Sequence, residues 1–108
     1  MVDRSIVTSV RKYLRVLRRH GVNVRFGVIF GSHSRGQAHD MSDIDLLVVA
    51  PRFDRSRTHN EVSRLWRLAA RTDIRIEPVP CGVKQWEQDY SSAIIEIARR
   101  EGHLVKVD

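Results

Sequence analysis

The sequence predicts an α/β chain of the α+β kind, a single domain over residues 1–108 built as one small β-sheet backed by helices. Three observations lead there. Stretches with apolar residues at helical spacing alternate with stretches of period two or short apolar runs. A length of 108 residues leaves room for one modest core. The connection between Phe30 and Asp43 is short for a parallel crossover, so the first two strands are expected to pair antiparallel, which sets aside a doubly wound parallel sheet.

The elements follow in order. Ile6, Val10, Leu14 and Leu17 draw an apolar stripe along a helix over 4–20, and Gly21 ends it. Val24, Phe26, Val28 and Phe30 alternate as a strand. Residues 32–38 suggest a short helix or helical turn, then a loop through Met41. Ile44–Ala50 is a second strand stopped by Pro51, with Asp43, Asp45, Leu47 and Val49 on one face and Ile44, Leu46, Val48 and Ala50 on the other. Val62, Leu65, Trp66, Leu68 and Ala69 mark a helix over 55–71. Ile74–Val79 makes a third strand, which Pro78 and Pro80 confine to an edge. A helical pattern over 83–100, with a possible start only after Ser91-Ser92, ends at Gly102, and His103–Val107 adds a short final strand. Trp66 and Trp86, with apolar neighbours at helical spacing, are expected in the core.

Composition narrows the class. The apolar fraction is 42%, ordinary for a globular domain. No apolar run approaches the roughly 20 residues of a membrane span, and the first residues lack a signal-peptide apolar stretch. The single cysteine, Cys81, excludes an internal disulfide and suits a reducing cytoplasm. A net charge of +6 favours anionic partners, but much of it sits on the first helix as Arg11, Lys12, Arg15, Arg18 and Arg19, where a solvated face accounts for it.

The chemistry lies between Gly31 and Val49. Asp43 and Asp45 stand two apart at the head of a strand, so their side chains share a face with Cα atoms about 6.5–7 Å apart. Two carboxylates so placed repel each other unless a cation lies between them, and a divalent ion with oxygen ligands suits them. Upstream, the Gly31-Ser32 turn offers backbone N–H groups to an anion. A carboxylate pair beside an anion-binding turn suits phosphoryl or nucleotidyl transfer.

The segment GSHSRG at residues 31–36, followed by SDIDLLVV at residues 42–49, resembles the minimal nucleotidyltransferases of the DNA polymerase β superfamily. The resemblance extends to the strand before Gly31 and to RIEP at residues 75–78, and so covers nearly the whole chain. It implies a single-domain nucleotidyltransferase fold with a small mixed sheet. It also implies Mg²⁺ held by Asp43, Asp45 and a third acid, Glu77, and ATP as nucleotidyl donor contacted by Gly31, Ser32 and Arg35. Many relatives carry Asp at the third position, so Glu77 brings a longer ligand. Asp73 competes for that role, though its place before the strand suits a turn. His33 and His39 fall where the family pattern is variable, and Mg²⁺ prefers oxygen to imidazole.

The implied activity transfers a nucleoside monophosphate to a hydroxyl. With little surface left for an acceptor-binding domain, the acceptor is expected on a partner. Stand-alone members of this family resemble the antitoxin halves of toxin–antitoxin pairs, which modify or bind a small helical HEPN-type toxin. The rivals are a catalytically weak partner-binding module, a small-molecule nucleotidyltransferase, and a nucleic-acid binder acting through the basic helix.

Overall fold

The computed structural model describes residues 2–107. Helix α1, Arg4–Arg19, buries Ile6, Val10, Leu14 and Leu17 as the stripe predicts, and Tyr13 beside them. The Asp3 carboxylate caps it by accepting from the Ser5 amide at 2.8 Å. At its other end Gly21 takes φ +88°, while the Gly21 amide bonds Arg18 O and the Val22 amide bonds Leu17 O. This double bond is the Schellman stop, which a glycine adopts without strain.

Strands β1 (Phe26–Phe30), β2 (Ile44–Val49), β3 (Ile76–Cys81) and β4 (His103–Lys106) form one mixed sheet in the order β3-β2-β1-β4. β1 is antiparallel to both β2 and β4, and β2 is parallel to β3. β3 takes an edge, where prolines lacking an N–H are tolerated.

Helix α2 spans His59–Thr72, α3 Val83–Gln88 and α4 Ala93–Glu101. The alternation in β2 divides the core. Ile44, Leu46, Val48 and Ala50 join Ile29 and Ile76 with residues of α1 and α2. Leu47 and Val49 join Val28, Cys81, Ile95 and Ala98 on the α3–α4 side.

Several boundaries differ from the pattern. β1 begins at Phe26, because the Val24 amide turns back to Val22 O at 2.8 Å while its carbonyl takes the Arg18 guanidinium. Residues 31–36 form hydrogen-bonded turns and no regular helix. A 3₁₀ turn at Pro51–Asp54 precedes α2, which starts only after the Thr58 cap. β3 begins at Ile76, leaving Ile74 83% exposed. The region 83–100 is two helices, parted where the Asp89 carboxylate accepts from the Ser91 amide and hydroxyl and Ser92 caps α4.

Trp66 corrects the expectation of a core tryptophan, being 44% exposed. The inward stripe of α2 is Leu65, Leu68 and Ala69, and Trp66 lies a further 100° around the helix. Trp86 is half-buried, edge-on to Phe26 with ring centroids 5.7 Å apart.

Candidate active site

The face of β2 that carries Leu47 and Val49 under α3 and α4 carries Asp45 near its start. The register sets Asp45 opposite Phe30 on one side and opposite Glu77 on the other. Directly paired residues of neighbouring strands project to the same face, so Glu77 and Asp45 are adjacent there. Asp43 stands two residues earlier, just outside the ladder, and is exposed. Three carboxylates from two parallel strands thus collect at one end of the sheet.

Their electrostatics follow from that crowding. Asp45 is held above its ordinary carboxylate value by desolvation first and by the charge of Asp43 second, with His33 and Arg35 pulling the other way. Glu77 is raised by desolvation, by a hydrogen bond with Asp43, and by the charges of Asp43 and Asp45. Among the described residues, no three His, Cys, Asp or Glu side chains are gathered as a ready metal cage. The donor set is all oxygen and acidic, and it borders the backbone of Gly31 so closely that a Cβ there would meet Asp45 Oδ2. These are donors suited to a hard divalent cation.

Gly31 has φ +76° and opens the turn at the end of β1. The Arg35 amide bonds Gly31 O at 3.2 Å, the Gln37 amide bonds Ser32 O at 3.0 Å, and the Ser34 hydroxyl donates to Gly31 O at 2.9 Å. Ser32 is half-buried at the head of this loop. Arg35 is exposed and reaches toward α4, 3.8 Å from Glu101, although its charge is felt at Asp45.

Asp73 is drawn into a different arrangement. It accepts from Arg75 Nε at 3.0 Å, from Arg75 Nη2 at 2.7 Å, from the Arg75 amide at 3.0 Å and from Ser9 Oγ at 2.6 Å. These bonds, that with the Arg75 side chain foremost, hold its carboxyl far below the usual range. The same Arg75 donates to Asp40 O at 3.0 Å, which ties the loop before Asp43 to the start of β3.

His33 is the residue whose place the sequence does not reveal. It is 8% exposed, and its Nε2 lies 3.2 Å from Ser42 O. Ser42 in turn accepts from the His39 amide through its hydroxyl at 2.9 Å. A histidine between two serines in a polar loop carries no sequence signal of burial.

Residues 10–104 match the nucleotidyltransferase domain family, and the chain belongs to that family. No curated protein sequence matches significantly. Among solved structures, a protein assigned as a minimal nucleotidyltransferase is 30% identical, with TM-score 0.56 over 94% of this chain and 95% of that one. A toxin–antitoxin structure with AMP-PNP is 22% identical, with TM-score 0.60 over 91% of this chain and 70% of that one. A nucleotidyltransferase structure from Sulfolobus solfataricus is 16% identical, with TM-score 0.66 over 91% of this chain and 77% of that one.

Proposed function

We propose that this domain transfers a nucleoside monophosphate, AMP from ATP, to a hydroxyl on a partner protein, as the antitoxin half of a cytoplasmic toxin–antitoxin pair. The observation that carries the reading is the in-register pair Asp45–Glu77, with Asp43 two residues upstream and Asp45 against the Gly31 turn. Asp43, Asp45 and Glu77 would hold Mg²⁺, which when bound supplies charge neutralisation at the phosphates. Ser32 and the neighbouring N–H groups bind the β- and γ-phosphates. The acceptor oxygen bonds to the α-phosphorus as the bond to the α–β bridging oxygen breaks and pyrophosphate leaves. The hydroxyl proton passes to Glu77. The rest of catalysis is positioning.

The partner is the less direct step, and its support is the likeness to a toxin–antitoxin structure. The test is incubation with labelled ATP, Mg²⁺ and a co-encoded small helical HEPN-type protein. Label on that protein, absent with Asp45→Asn, is the expected result, and labelling only of small molecules or RNA would move the acceptor elsewhere. The competing reading is a partner-binding module with weak catalysis. It predicts a stable complex without label.

A further inference from the structure

We infer that His33 is a positioning residue that sets the separation of Asp43 and Asp45, the pair assigned above to the metal; the inference rests on that assignment. The sheet holds Asp45 and Glu77, because each lies within the ladder. Asp43 lies before it, and the pairing with β3 starts only with the Ile44 amide, bonded to Arg75 O at 2.8 Å. The peptide unit that leads into Asp43 is the one whose carbonyl belongs to Ser42. A carbonyl only accepts, so the hydrogen sits on His33 Nε2 and the imidazole donates to that unit at 3.2 Å.

The other end of the link is equally telling. His33 belongs to the turn that begins at Gly31, whose backbone abuts the Asp45 carboxylate. One part-buried hydrogen bond therefore joins the segment that borders Asp45 to the segment that carries Asp43. His33 is 8% exposed, in a loop whose other polar side chains are half-buried or exposed. His33 lines a pocket of about 130 Å³ with Asp3, His39, Asp40 and Arg75. Mg²⁺ demands near-ideal octahedral geometry, which makes ligand spacing matter. Groups that orient metal ligands typically contribute about 10–100-fold to metal affinity.

The test is Mn²⁺ binding by calorimetry, with backbone amide exchange at Ser42 and Asp43 as a readout that needs no metal. His33→Leu removes the donor at similar size, whereas His33→Gln keeps an N–H near the Nε2 position. The leucine variant is expected to lose about 10–100-fold in Mn²⁺ affinity and to exchange faster at Ser42 and Asp43, and the glutamine variant to stay close to wild type. In an Asp43→Asn background the two should bind alike. Should the leucine variant not fold, His33→Asn, too short to reach, takes its place. Glutamine losing as much as leucine, or a difference that persists without Asp43, overturns the inference. If the wild type binds no Mn²⁺, the metal assignment fails by itself. Amide exchange then decides whether His33 orders this segment, and equal exchange in the glutamine and leucine variants overturns that too.

Discussion

A Cβ built on Gly31 would collide with Oδ2 of Asp45. The glycine also has φ +76°, a conformation that costs an L-residue on the order of 1–3 kcal/mol. Two independent reasons thus exclude a side chain here, and one of them is the carboxylate itself. Gly31→Ala is expected to displace Asp45 and lower nucleotide transfer by about 100-fold, the cost of roughly 1 Å of misplacement at a reacting centre. Near-normal turnover in a folded Gly31→Ala protein would show that Asp45 is not where the chemistry occurs.

Asp43→Asn and Asp45→Asn should each abolish Mg²⁺-dependent transfer yet leave the metal-free fold intact. The pH dependence follows from the raised values of Asp45 and Glu77. Between the unfolded value and the raised folded value, the native state holds more protons than the unfolded state. Stability therefore falls as pH rises through that window. Asp43→Asn removes a charge that raises both groups, so its melting temperature relative to wild type should climb from pH 4 to pH 7. A difference that shrinks over that range contradicts the crowded-carboxylate account.

Glu77→Gln and Asp73→Asn should separate cleanly. Glu77→Gln is expected to lower turnover more than affinity for a non-hydrolysable triphosphate, with little change in stability. Asp73→Asn breaks the pair with Arg75 and the bond from Ser9, a loss of about 1–3 kcal/mol in stability. Because the Asp73 carboxyl is held low, that stability is present above its unfolded value and disappears as pH falls toward the folded one. Denaturant melts beside single-turnover rates distinguish the two, and a larger rate loss in Asp73→Asn would make it the third acid.

The sheet and both sides of its core were legible because β2 alternates in strict period two, which places Asp45 on the side of Leu47 and Val49. The prolines of β3 marked its edge position for the same local reason. What stayed hidden depends on contacts distant in sequence. Trp66 is apolar and helical in spacing, yet only the direction from which α1 packs on α2 decides that Leu65 turns inward and Trp66 outward. Residues 32–38 read as a short helix or helical turn, and Gly31 and Gly36, both at positive φ, leave only hydrogen-bonded turns over 31–36. That Arg75 turns to Asp73 is settled by Ser9 on α1 and the Asp40 carbonyl, which no periodicity exposes. The burial of His33 belongs to this class.

The basic face of α1 offers a test of the proposed partner. Lys12 and Arg19 are exposed and, with Arg15 and Arg18, line an open groove of about 470 Å³ along the second half of α1, beside Val107 at the end of β4. The carboxylates collect instead where β1 ends and β2 begins. If an acidic helical partner docks partly through this groove, Lys12→Glu with Arg19→Glu should slow association. The slowing should be greater at low salt than at high, because exposed charges are screened over about 10 Å at 0.1 M. AMP transfer at saturating partner should be unchanged, because neither residue lies at the carboxylate end. Stopped-flow association at two ionic strengths, paired with single-turnover labelling, checks both halves. Association that ignores the reversal assigns the basic face to solvent and moves docking toward the carboxylate end.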